Sequence, residues 1–362
     1  MSVQSYKFPM EPALAPRPSV GLTFGGTMHT IRNLAPWVLS LVTLSVACQA
    51  PLPGETLVLY CGRSADLVQP LIGRFQETNG VVVEVRYGGT AELAALIAEE
   101  GSSSPADVYY GQDAGALGTL AKEGLLRKLP PEILALVEPR FRSRSGHWVG
   151  TSGRARVLLY NSASLSEDEL PDSVLALTDP DWRSRVAWAP RNGSFQAFVT
   201  AMRLIEGEPR TAAWVAGMME NGVKAYPDNT DIFEATRVGE VEVGLTNHYY
   251  LFRNLDRAEA DVALRNYSPR GGGAGALINV AGAGVLESSD QAHLAESFLA
   301  FLLASESQTY FAEEAFEYPF VEGVKTHPLV KPLSEVVTPA INLSELDDLD
   351  GTIQLLQDIG AL

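Results

Sequence analysis

Tyr249 and Tyr250 stand side by side after Asn247 and His248, which puts two phenols, a carboxamide and an imidazole within four residues. A free phenol has a pKa of about 10, so it is a neutral donor until something stabilises its phenolate. The pair follows the apolar alternation Val241, Val243, Leu245, the mark of a strand. Neighbouring strand residues point to opposite faces, so both rings reach one point only where the chain leaves the strand and turns. On these residues alone two roles stay open: rings packing at a strand end, or two oxygens converging on one ligand. A second stretch with chemistry in it is Arg191-Asn192-Gly193-Ser194-Phe195. Asn192 or Ser194 would cap a helix carrying Phe195, Phe198, Met202 and Ile205, and the free N–H groups of a helix start attract an anion. A cap with no ligand is the alternative there.

The elements that position these residues read as an α/β protein. Thr56–Tyr60, Val81–Tyr87 and Ala106–Tyr110 are short apolar strands, each followed by a stretch of helical spacing. This β-α order predicts a parallel sheet with covered faces. The loops at 61–64, 88–90 and 111–113 then share one rim past the strands' carboxyl ends, where open α/β sheets bind ligands. A second α/β set follows. It holds a loop feeding a strand over Trp148–Asn161, strand Val186–Pro190, helices over 195–205, 211–221 and 232–238, and the polar loop Pro227–Thr230. Gly271–Gly275 has no helix after it and reads as a flexible turn rather than a phosphate loop. Strand Ala276–Ala281, helices over 291–303 and 308–316, and a last helix at Leu349–Ile359 complete the chain.

The chain has 362 residues, enough for two domains with sizeable cores. Its net charge of −17 argues against a nucleic-acid binder, which needs a basic face. Cys48 and Cys61 are the only cysteines, too few for a disulfide framework or a zinc site. From Met28 a basic start, the apolar run Leu34–Leu44 and small residues up to Cys48 form a secretory signal, too short to span a membrane. Leu44-Ser45-Val46-Ala47-Cys48 resembles a lipobox with Ser45 where Leu is usual, so Cys48 is a lipidation candidate. Residues 1–27 read as an extension ahead of the native start at Met28, and 49–54 as a tether.

Taken together, Tyr60-Cys61-Gly62-Arg63, Ala106-Asp107-Val108-Tyr109-Tyr110 and Asn247-His248-Tyr249-Tyr250 resemble the periplasmic ferric-iron-binding proteins of bacterial ABC importers. Arg154–Asn161, Pro190–Phe195 and Gly275-Ala276-Leu277 extend the resemblance in the family's order and spacing from about 55 to 360. It implies a type II periplasmic-binding-protein fold of two lobes with hinge strands between them. The lobes would be 55–154 with 279–330, and 155–278, with 331–362 as a helical segment packing across them. It also implies that Tyr249 and Tyr250 ligate Fe³⁺ as phenolates, with a synergistic anion, carbonate or phosphate. The chemistry agrees, because a trivalent cation makes the phenolate the stable form.

The resemblance further implies anion binding by Asn192, Gly193, Ser194, Asn229 and Asn247, with Arg63 and Arg154 as charge partners. Relatives that add a His and a Glu to the metal have Ser64 and Gln112 here, and a third Tyr near Asn192–Phe195 is missing. Ser64, Gln112 and the adjacent Asp113 are therefore candidates for the metal or its surroundings. His248 is expected to support the loop, Tyr109 and Tyr110 to pack and to stand at the rim, and Tyr160 to lie in a hinge strand. The implied role is a monomeric, periplasmic substrate-binding component, possible lipid anchorage at Cys48 included, that serves a membrane permease and its ATPase. The competing reading keeps the fold and binds a small oxyanion, phosphonate or organic acid without metal. A secreted hydrolase is disfavoured: Ser194 has no evident base, and His147, His293 and His327 stand in poor contexts.

Overall fold

The structure, a computed structural model, describes residues 55–255 and 263–362. The signal at 28–48, the lipidation candidate Cys48, the extension at 1–27 and the tether at 49–54 lie outside the described residues. Among those described, no helix is long and apolar enough to cross a membrane.

The amino-terminal set is β1 (Thr56–Cys61), α1 (Ala65–Asn79), β2 (Val82–Tyr87), α2 (Thr90–Glu100), β3 (Val108–Gly111) and α3 (Ala114–Lys122), with a short α4 (Pro131–Ala135). Then come β4 (Val149–Asn161), β5 (Val186–Trp188), α5 (Gly193–Glu206), α6 (Glu208–Glu220), β6 (Lys224–Ala225), α7 (Asn229–Arg237), β7 (Val243–Asn247) and α8 (Tyr249–Leu255). The last elements are β8 (Leu264–Tyr267), β9 (Ile278–Val285), α9 (Ala292–Leu302), α10 (Ser305–Glu313) and α11 (Leu349–Ile359). Their periodicity explains them. α1 buries Leu67, Leu71, Ile72 and Phe75 on one stripe, and Gly80 ends it in the left-handed region at φ 67°.

The strands run in the order β2-β1-β3-β9-β4-β7-β5-β6, with β8 also on β4. β1 pairs in parallel with β2 and β3, and β5 with β6 and β7, so each half carries the expected βα units. β4 joins them. Its Val149–Ala155 stretch pairs with β9, and its Arg156–Asn161 stretch lies between β7 and β8. At about 3.3 Å per residue it spans roughly 40 Å. Every residue of β4 except Asn161 is out of solvent, which explains its near-continuous lack of alternation.

Several elements differ from their sequence reading. Trp148–Asn161 is not a loop feeding a strand but strand almost throughout, because burial on both faces removes the alternating pattern. β8 escaped notice: Leu-Arg-Asn-Tyr is short and polar, and its pairing with β4 is a tertiary gain. The segment from 331 to 348 has only two 3₁₀ turns, Leu333–Glu335 and Leu343–Glu345, before α11. α11 touches α3, α5 and α6, and Arg203 on α5 holds it through Asp348 at 2.7 Å and Thr352 at 2.9 Å.

Gly244 shows how tightly β7 is set. A Cβ there would lie 2.3 Å from Ile232 Cγ2 on α7. Gly244→Ala should cost about 1–3 kcal/mol through overpacking, read as a lower urea midpoint with an unchanged slope. An unchanged midpoint would show that α7 moves freely against β7.

Candidate functional site

β7 delivers the chain to the site and stops at Asn247. Helix α8 begins at Tyr249 itself, so the turn that convergence requires is a strand-to-helix switch. The two phenol rings stack at 4.5 Å with 27° between their planes. Tyr249 is 2 % exposed. Burial pushes Tyr250 well above the usual phenol range, and the neighbouring Tyr249 raises it further, while Asn229 and Arg154 pull the other way. Without a cation Tyr250 is thus held neutral.

The tyrosines open on a cleft of about 290 Å³, also lined by Arg63, Ser64, Gln112 and Asn192. Ser64 is exposed at the start of α1. The Gln112 carboxamide donates to the Gly62 carbonyl at 2.7 Å, which fixes the first loop. On the other wall, Asn192 caps α5: its Oδ1 accepts from the Ser194 N–H at 3.0 Å and the Ser194 hydroxyl at 2.6 Å. Asn229, 1 % exposed, donates to Ser194 Oγ at 3.4 Å and leaves its own Oδ1 without a partner. Asn247 is buried in β7 across from Arg156 and is not among the residues lining the cleft.

Asp113 caps α3 through Oδ1, which accepts from the Ala116 N–H at 3.0 Å. Its Oδ2 lies 3.3 Å from where a Cβ on Gly193 would sit, so the glycine lets a carboxylate from the β3 side approach the start of α5. Burial pushes Asp113 up, with Ala116 and Arg154 opposing. A second tie across the cleft is the 2.6 Å ion pair between Asp66 on α1 and Arg253 on α8. The two walls are therefore in contact.

Three buried arginines belong to this region: Arg63, which lines the cleft, and Arg154 and Arg156, which do not, at 3 %, 1 % and 2 % exposure. Arg63 is spent on Glu317, with Nη2 at 2.9 and 3.0 Å from the two carboxylate oxygens. Arg154 donates to the Val280 carbonyl at 3.2 Å and Arg156 to the Leu245 carbonyl at 2.9 Å. Five of their nitrogens still lack a partner: Nε of Arg63, and Nε and Nη1 of both Arg154 and Arg156. Orphaned buried donors are costly, so this is a place that expects an anion. Burial pushes Arg156 down to about 9, opposed by Tyr250, so it keeps its charge at neutral pH. Among the described residues no three His, Cys, Asp or Glu side chains gather as a metal cluster.

Arg156, Arg253 and Glu317 carry weight at this site and were not picked out from sequence. The signal for Arg156 was present, because Arg154 and Arg156 recur at period two within an apolar run and so share a face. Other expectations fit the geometry. His248 turns away, its Nδ1 accepting from the Ala155 N–H at 3.1 Å and its ring stacking on Tyr318 at 4.9 Å. Tyr109 and Tyr110 pack, hydrogen-bonded to the Thr90 carbonyl and to Thr151, but as fully buried side chains they do not stand at the rim. Tyr160 is buried near the end of β4.

Residues 57–317 match the family model of the bacterial extracellular solute-binding proteins. The chain is 32 % identical to the Fe(3+)-binding periplasmic protein of Serratia marcescens, over 92 % of this chain and 99 % of that one. It is 32 % identical to the major ferric iron-binding protein of Neisseria meningitidis, over 88 % and 97 %. Its fold matches iron-bound HitA of Pseudomonas aeruginosa with a TM-score of 0.81 and 35 % identity, covering 84 % of this chain and 99 % of HitA. It matches a Trichodesmium protein in complex with iron and citrate with a TM-score of 0.73 and 28 % identity, covering 84 % and 99 %. The architecture is that of a type II periplasmic binding protein, and the chain belongs to the bacterial extracellular solute-binding protein family.

Proposed function

We propose that this protein captures ferric ion with a small oxyanion between its two lobes and hands it to the permease and ATPase of an ABC importer. The observation that carries the reading is the meeting of two stacked phenols with buried guanidinium donors that have no partner. Ferric ion is a hard cation, and Tyr249 and Tyr250 as phenolates give it two anionic oxygens. The remaining positions fall to the anion. Arg154 and Arg156 neutralise it, and the start of α5 with Asn192, Gly193, Ser194 and Asn229 receives it. Ser64 and Gln112 stand at the rim as water-holding or direct donors, Asp113 is buried beside the start of α5, Arg63 adds its charge from the cleft wall, and Asn247 supports from behind. Relatives named for ferric binding, and one solved in complex with iron and citrate, support both halves of the reading.

The lobes in this reading are 55–154 with 279–330, and 155–278. Support comes from β4, which changes partners from β9 to β7 and β8 at Ala155–Arg156. Ligands drawn from both lobes couple binding to closure. The protein acts as a binder rather than an enzyme, as a monomer in the periplasm, with Cys48 as its lipid attachment point.

The second reading, an oxyanion bound without metal, draws on the orphaned guanidinium groups and on the lack, among the described residues, of a carboxylate–histidine cluster. Calorimetry separates the two. Bicarbonate or phosphate alone should bind no tighter than about 1 mM, and ferric ion with the same anion at least a thousandfold tighter. Submicromolar binding of the anion alone, unchanged by ferric ion, would favour the second reading.

A further inference from the structure

A second cavity, of about 390 Å³, lies on the opposite face of the hinge from the iron cleft. Three pairs of neighbours in the chain show how thin the wall is. On β4, Ala155 and Val157 line the rear cavity, so the alternating Arg154 and Arg156 lie on the other face of the strand. At the end of β7, Tyr249 lines the cleft and His248 the cavity. In the segment after α10, Glu317 binds Arg63 while Tyr318 lines the cavity. Phe316, beside them, holds a left-handed φ of 56° and stacks on Phe252 of α8. A bulky residue is rarely found there, and such strain persists only where surrounding contacts impose it.

The cavity has a defined chemistry. Its floor is apolar: Ala155, Val157, Leu251, Phe252 and Val330. Two buried polar atoms on its wall have no partner. His248 is 3 % exposed, and because Nδ1 accepts from Ala155, its Nε2 carries the proton. No acceptor meets that N–H within hydrogen-bond geometry, although the Phe316 backbone lies near it. Asn266 donates to the His248 carbonyl at 2.7 Å and leaves Oδ1 unmet. Lys331 stands exposed at the mouth with no ion pair among the described residues, beside Arg270, which is held by Glu167 and Asp168 at 3.5 Å. The volume falls at the lower end of the range for small-molecule sites, about 300–1,000 Å³.

We propose that this rear cavity is a second binding site, for an amphipathic organic anion, an aromatic or aliphatic acid that also carries one N–H or O–H. The acid group meets His248 Nε2 and the Lys331 and Arg270 rim, the donor meets Asn266 Oδ1, and the apolar body covers the floor. Its walls come from both lobes, with Tyr318 and Val330 on one side and Ala155, His248 and Asn266 on the other. The cavity exists in a conformer whose cleft walls touch, so a ligand that fills it favours that conformer and slows cargo release. The coupling half of the proposal rests on the ferric reading above; the site itself does not.

The test uses 8-anilinonaphthalene-1-sulfonate, which has an aromatic body, one N–H and one anionic group. Fluorescence titration needs no iron and should show saturable one-to-one binding. Lys331→Glu should weaken it by about tenfold, and Ser268→Trp, which fills the cavity from its edge, should abolish it. Release of ferric ion to excess chelator should slow by about threefold or more under saturating probe, and in Ser268→Trp without probe. Binding that neither substitution weakens would overturn the site. Unchanged release at saturating probe would overturn the coupling. A protein that takes up no ferric ion fails the ferric reading and leaves the titration to decide the site.

Discussion

Tyr250→Phe should lower ferric affinity by more than about a hundredfold and remove the visible phenolate-to-iron band, with Tyr249→Phe doing the same. A group that only orients a metal ligand is worth about 10–100-fold, so loss of an anionic ligand should exceed that. The substitution is diagnostic because it deletes one oxygen and keeps the ring. The stacking of the two rings at 4.5 Å and the burial of Tyr249 can both survive it. Had the tyrosines only been packing, Phe would serve as well, and Tyr250, whose phenol is costly to ionise in this buried place, would gain nothing from its oxygen. Competition against a coloured chelator measures the effect. An affinity within about threefold of wild type would remove Tyr250 from the ligand set.

Glu317→Ala should destabilise the protein by about 3–5 kcal/mol, because it strands the buried Arg63 charge. Both partners of this ion pair are essentially out of solvent, at 1 % and 0 % side-chain exposure. Ser152 also donates to the same carboxylate, at 2.5 Å. Burial works against the Glu317 charge, but Arg63 and Arg154 outweigh it and hold the carboxyl below the usual glutamate range. A depressed carboxylate gives its full stabilisation above its unfolded pKa and loses it as pH falls through the folded value. The gap between wild type and Glu317→Ala in urea unfolding should therefore be widest at neutral pH and narrow on acidification below the ordinary glutamate range. A gap that stays constant with pH would mean the carboxylate acts through packing alone.

The fold was legible wherever burial left a period. Helix α11 falls at Leu349–Ile359, as its spacing predicts, and α5 starts after the Asn192 cap. β4 was harder, because a strand buried on both faces loses its alternation, and β8 had too few apolar residues to announce itself. At the site, the residue types pointed to Tyr249, Tyr250 and the start of α5. What joins them was not in local sequence. Glu317 meets Arg63 across 254 positions, and Arg253 meets Asp66 across 187. Gly193 needed the structure too, since its lack of a side chain matters only because Asp113 arrives from another element.

The position of the iron is the most direct test of ligation by both tyrosines. Crystals of the ferric-loaded protein, measured at the iron absorption edge, should show one anomalous peak within about 2.2 Å of both the Tyr249 and Tyr250 oxygens, a distance typical of metal–oxygen ligation. An oxyanion should lie beside it, against Arg154, Arg156 and the start of α5. A peak bound by only one tyrosine or by neither, or a cleft holding an anion and no iron, would contradict it.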